Sequence, residues 1–153
     1  LLYSGRIVDQ HQWVHRHYFH PLMSGKTSIK KVLPAVWRNN TMLHGHPAFR
    51  EYFREVDGRI LNPYETLPSA KIEDRNFTVR EGCAAMQVYR EMIHGEGAKC
   101  ADARKVLAGL LREYCRLDTA SQWIIFQHWR QRLRDDMAEA SVCNAPYTPN
   151  RPI

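Results

Sequence analysis

No apolar run in this chain approaches the roughly 18–20 residues that a membrane-spanning helix needs, which argues against a membrane partner. The opening Leu1-Leu2-Tyr3-Ser4-Gly5-Arg6 is not a signal peptide and has no initiator methionine, so the sequence reads as a piece cut from something longer. Cysteine is sparse. Cys83, Cys100, Cys115 and Cys143 form no Cys-x-x-Cys pair, so free thiols in a reducing cytoplasm are expected rather than disulfides or zinc. A phosphate-binding P-loop is absent too. Gly25-Lys26-Thr27 resembles its end, but His20 occupies the position where the first glycine is required. His11, His15, His17 and His20 lie close in sequence without an acidic or cysteine ligand at a recognised metal spacing. They are expected to be exposed or hydrogen-bonded. No internal repeat is present.

At 153 residues, the chain is one domain's worth and can bury a sizeable core. Hydrophobic residues at 44% and charged residues at 25% describe an ordinary globular composition. The formal charge is +6, and eight histidines add more positive charge at lower pH. That balance suits a polyanion such as nucleic acid, and equally a merely soluble basic protein. Lys26, Lys30 and Lys31, with Ser28, form the best local basic cluster. Ser28 or Thr27 can cap a short helix there, and Pro34 disfavours a helical conformation at Leu33. Such groups suit a phosphate backbone, or simply a solvated helix face.

Arg6-Ile7-Val8-Asp9 reads as a short strand. Residues 46–56 suggest a short helix, with Pro47 near its start and Gly58 just beyond its end. Asn62-Pro63-Tyr64 and Leu67-Pro68-Ser69 then break the chain into loop, a surface excursion rather than a lid. Thr78 and Glu81 form a capping box for a helix carrying Ala85, Val88, Tyr89, Met92 and Ile93 on one face and ending at Gly95. A longer helix is predicted from Asp102, its plausible N-cap. Val106, Leu107, Leu110, Leu111, Tyr114, Cys115 and Leu117 recur at three and four. Its rhythm runs on through Ala120, Ile124 and Leu133, with Trp123, Phe126 and Trp129, until Arg130, Arg132 and Arg134 crowd its end. Tyr114 and Asp118 are four apart, so a phenol and a carboxylate share one face. From Asn144 the tail is rich in proline and expected to be extended or disordered.

Tyr114-x-x-x-Asp118, within Leu111-Arg112-Glu113-Tyr114-Cys115-Arg116-Leu117-Asp118-Thr119, resembles the third motif of the DEDD (DnaQ-like) 3′–5′ exonucleases. Ile7-Val8-Asp9, Tyr18-Phe19-His20-Pro21 and Ser28-Ile29-Lys30-Lys31-Val32-Leu33-Pro34 are similar to an uncharacterised bacterial branch of that superfamily. Gly82-Cys83-Ala84-Ala85-Met86 resembles the small-residue segment before its last helix.

The resemblance implies an α/β, ribonuclease-H-like fold, with residues 1–143 its mainly helical C-terminal portion. Residues 37–76 would be a loop-rich insertion and 144–153 a tail. It implies metal-dependent hydrolysis of DNA or RNA phosphodiesters, with Asp118 holding Mg2+ or Mn2+ and Tyr114 orienting the attacking water; Thr119, next in sequence, is placed to cap or brace Asp118. Two such ions ~3.5–4 Å apart would absorb charge on the phosphorus oxygens. Other members of the branch often carry a PD-(D/E)XK nuclease domain. The resemblance also exposes a gap: no Asp-x-Glu occurs in the sequence, and Asp9, the only candidate for a second metal ligand, matches the strand-ending aspartate after the second motif, which in the family is not itself a ligand. The expected activity is therefore incomplete here, dependent on a missing N-terminal half. A non-catalytic nucleic-acid or protein-binding module of the same fold is the alternative.

Overall fold

The structure, a computed structural model, describes residues 9–143, and side chains as far as residue 139. Helix α1 (Gln10–His17) starts at Asp9, whose carboxylate accepts from the His11 amide at 2.9 Å. The predicted strand thus lies outside the described residues except for Asp9, which is a helix cap. Helix α2 (Ile29–Asn39) follows a turn at Pro21–Met23. Ser28 is its N-cap position but makes no side-chain capping bond.

Pro34 does not end this helix, contrary to the sequence-based expectation. Val32, Leu33, Ala35, Val36 and Trp37 are all essentially inaccessible, and their burial outweighs the local preference of Leu33. The cost falls on the backbone: proline has no N–H to give the Lys30 carbonyl one turn back.

The only helical stretch within residues 46–56 is a single 3-10 turn, Arg50–Tyr52, not the predicted helix. The chain then enters an antiparallel hairpin of β1 (Glu55–Val56) and β2 (Arg59–Ile60). Asp57 and Gly58 make its turn with φ of 50° and 72°, the left-handed pair that a two-residue hairpin loop requires. A second hairpin joins β3 (Ser69–Ile72) to β4 (Arg75–Thr78), in the register Ser69↔Thr78 and Ile72↔Arg75. Thr78 is therefore committed to a strand, and the predicted Thr78–Glu81 capping box does not form. Glu81 itself is the N-cap position of α3 (Gly82–His94), without a capping bond.

Gly95 ends α3 as expected, and a short helix α4 (Glu96–Lys99) leads into α5 (Ala101–Cys143). On α3 only Val88 is fully buried. Tyr89 and Ile93 are exposed, so the apolar face is narrower than predicted. Asp102 lies in the first turn of α5 rather than capping it, and Arg130, Arg132 and Arg134 lie well before its end. Leu107, Leu117 and Ile124 from α5 meet Leu33, Trp37, Met23 and Phe49 in one core. Each such side chain contributes ~1.5–3 kcal/mol by leaving water.

Both hairpins are antiparallel, and the remainder is mainly helical. The central sheet of a ribonuclease-H-like fold is not found among the described residues. No described helix is long and apolar enough to cross a membrane. Cys83, Cys100 and Cys115 are free thiols, while the Cys143 side chain and the proline-rich tail lie outside what is described.

Candidate functional site

Three elements converge beside the first turn of α2. The helical spacing of α5 places Tyr114, Asp118 and Ser121 toward that turn. The Lys30 amine lies 2.6 Å from the Tyr114 hydroxyl, to which it donates, and 3.5 Å from Asp118 Oδ1. Residues 84 and 88 apart in sequence, singled out separately by motif, thus touch.

The third element was not foreseen. Asn62-Pro63-Tyr64-Glu65 forms a capping box: Asn62 Oδ1 accepts from the Tyr64 amide at 3.1 Å, and Glu65 Oε2 accepts from the Asn62 amide at 3.2 Å. This rigid turn drives Tyr64 inward rather than out onto a surface loop. Its buried hydroxyl donates to Asp118 Oδ1 at 2.5 Å and lies 3.5 Å from Ser121 Oγ. Ser121 in turn donates to the Leu117 carbonyl at 2.7 Å. Asn-Pro-x-Glu, a cap with proline at the first helical position and an acid two residues later, was the available signal.

The Lys30 ammonium lies 4.5 Å from the centre of the Tyr64 ring and 4.3 Å from that of Tyr114. It is held by two aromatic faces, a hydroxyl and a carboxylate. Burial, and next the bond to Asp118, push the Tyr64 hydroxyl well above the ordinary tyrosine pKa. It therefore stays a donor throughout the neutral range.

Around this cluster opens a cleft of about 510 Å3, lined by the cations Lys30, Lys31 and Arg80 and the carboxylates Glu65 and Glu81, with Tyr64 and Thr78. A neighbouring cleft follows α2 past Lys31 and Pro34 to Arg38, with Arg59 opposite. Arg38, Arg59 and Arg80 extend the basic surface beyond the lysines that sequence reading selected. They were hidden because the hairpins and α2 bring them together only in three dimensions. Lys31 is exposed and lines both clefts. Lys26 and Ser28 are exposed but line neither. Thr119 does not brace Asp118; its hydroxyl donates to the Cys115 carbonyl on its own helix at 3.0 Å.

A divalent metal at Asp118 is poorly matched by these neighbours. The carboxylate oxygen already takes the Tyr64 hydroxyl and faces an ammonium, while the other groups present are neutral hydroxyls. Among the described residues no group of three or more His, Cys, Asp or Glu side chains is placed to hold a metal ion. Asp9 lines a different cleft, with His11, Thr27 and Gln122, and spends its carboxylate on the α1 cap. His11 and His15 stack at 6.5 Å, and His11 Nε2 is hydrogen-bonded to Thr27 Oγ1. The donor set fits an anion at Lys30 better than a cation at Asp118. The chain matches no known protein family, no curated protein and no solved structure.

Proposed function

We propose that this chain binds the phosphate backbone of a nucleic acid in the clefts beside Lys30, as the phosphate-contacting portion of a 3′–5′ exonuclease-type domain. The observation that carries the reading is the meeting of Lys30 with Tyr114 and Asp118 at the edge of a basic cleft. Lysine and arginine side chains supply most positioning contacts to phosphate. Lys30, Lys31, Arg38, Arg59 and Arg80 furnish five around the two clefts, which Glu65 and Glu81 also line, with Arg59 paired to Glu65 at 3.4 Å. Hydrolysis would require further carboxylates, since those among the described residues do not assemble a metal centre. Within the chain, Asp118 holds Lys30 in place through charge.

The test is fluorescence anisotropy with a labelled single-stranded oligonucleotide in chelator, at two salt concentrations. Lys30→Ala and Lys31→Ala should each weaken binding and reduce its salt dependence, as lost counterion release dictates. Asp118→Asn should tighten binding by about 2- to 5-fold, because it frees the ammonium and removes a repelling charge. No nucleotide release is expected from the chain alone with Mn2+. Asp118-dependent cleavage by it, or binding indifferent to both lysines, would overturn the proposal.

A further inference from the structure

A further cleft, of about 450 Å3, lies at the other end of α2, where Asn39 and Asn40 meet the Tyr18–His20 segment and residues 128–135 of α5. Three unusual features coincide there. First, Asn40 and His128 are buried polar side chains. The Asn40 amide donates to His128 Nδ1 at 3.2 Å and to Gln131 Oε1 at 3.3 Å. Both amide hydrogens are thereby used, so Asn40 Oδ1 is left as an acceptor. The His128 imidazole, accepting at Nδ1, carries its hydrogen on Nε2, for which there is no partner among the described residues. Second, Phe19 is 79% exposed and makes no ring contact among the described residues. Its neighbour Tyr18 is fixed edge-on to His128 at 5.9 Å. Third, Arg132 lines the cleft, as the Asp135 carboxylate also does, and forms no ion pair among the described residues.

An unpaired acceptor, an unpaired donor, an unstacked aromatic ring and a free cation make the set that single-stranded nucleic acid recognition uses. Bases are splayed out, stacked on aromatic faces and hydrogen-bonded along their polar edges. Arg38 of the phosphate clefts immediately precedes Asn39, and Leu22 links the clefts across the turn that follows His20. Along the helix, Lys31 and Asn39 are about 12 Å apart. One strand can therefore span both.

We propose that this cleft takes one base of the bound strand, with Phe19 stacked on its face and Asn40 and His128 meeting its edge. This rests on the nucleic-acid reading above and adds to it a base-binding pocket.

Two oligonucleotides of equal length separate the two claims, one with bases and one with an abasic backbone, with nucleoside monophosphates as a third probe. Phe19→Ala should weaken the base-bearing strand roughly 5- to 150-fold, the range for removing one stacking platform. It should leave the abasic strand unchanged, and Phe19→Trp should restore the loss. Lys31→Ala should weaken both strands alike. If Phe19→Ala binds the base-bearing strand as the parent does while Lys31→Ala still loses affinity, the base pocket is wrong and the phosphate reading stands. If monophosphates bind in a Phe19-dependent way but no strand binds, the cleft belongs to a free nucleotide and the strand-binding proposal is overturned. Failure of every probe to bind the parent would sink both.

Discussion

Tyr64→Phe isolates the contact that ties the Asn62-capped turn to α5. The ring remains, still 4.5 Å from the Lys30 ammonium, and only the hydroxyl that donates to Asp118 at 2.5 Å is removed. A hydrogen bond to a charged group is worth ~1.5–3 kcal/mol. The Asp118 side chain is 35% exposed, however, so water can replace part of what is lost. The expected loss is therefore about 1–2 kcal/mol, which lowers the Tm by about 2–8 °C in a chain of this size.

The same substitution has a signature at high pH. The folded protein holds the Tyr64 hydroxyl protonated above the ordinary value of 10, whereas the unfolded chain releases that proton. The unfolded state thus binds fewer protons, and stability falls as pH rises beyond about 10. Below that point both states are protonated and the slope vanishes. Tyr64→Phe should remove this contribution and flatten the alkaline limb. Chemical denaturation across pH, with Asp118→Ala and the double variant completing a cycle, measures both effects. Strict additivity in the cycle, with an unchanged alkaline limb, would refute the argument.

Gly97→Ala should destabilise by about 1–3 kcal/mol in the same denaturation assay. A methyl there would sit 2.7 Å from Met92 Cα and 2.8 Å from its carbonyl oxygen, and backbone cannot yield as a side chain can. The helical preference of alanine over glycine, ~1 kcal/mol, is too small to reverse this. Burial, and then Arg132, lower the His128 pKa below its ordinary 6.5. The stability this confers is present above about pH 6.5 and is lost as pH falls through the folded value, because the unfolded chain takes up the proton first. His128→Gln should flatten that acidic limb, read by thermal melts in a pH series; an unchanged limb would place the titrating group elsewhere.

What was legible in the sequence was what repeats within one element. The rhythm from Val106 to Leu133 marked α5, and four-residue spacing placed Tyr114 and Asp118 on one face of it. The errors arose where tertiary contacts outweighed a local rule. Pro34 is tolerated because Leu33 and Trp37 fill the core, and Thr78 abandons its capping box because Ser69 pairs with it across the hairpin. Asp57-Gly58 was in plain view as a hairpin turn, yet the helical reading of residues 46–56 absorbed it as a helix end. Tyr64 was missed for a different reason. The same Asn-Pro dipeptide breaks a chain into loop or opens a short capped helix. Only Glu65, three residues after Asn62, distinguishes the two.

That turn also alters how the motif residues work together. A Tyr-x-x-x-Asp pair read alone suggests an aspartate awaiting a cation from solution. Here the cation is part of the chain: Lys30, 29% exposed, faces the Asp118 oxygen that Tyr64 also engages. A phosphate approaching along α2 must compete with Asp118 for that ammonium, because one compact charge cannot fully serve two anions. Any strand bound there reaches Lys30 at the expense of the Lys30–Asp118 pair and leaves the carboxylate with its Tyr64 bond alone. An anion at Lys30 and the Asp118 carboxylate therefore oppose each other, a reciprocal coupling that follows from their shared partner.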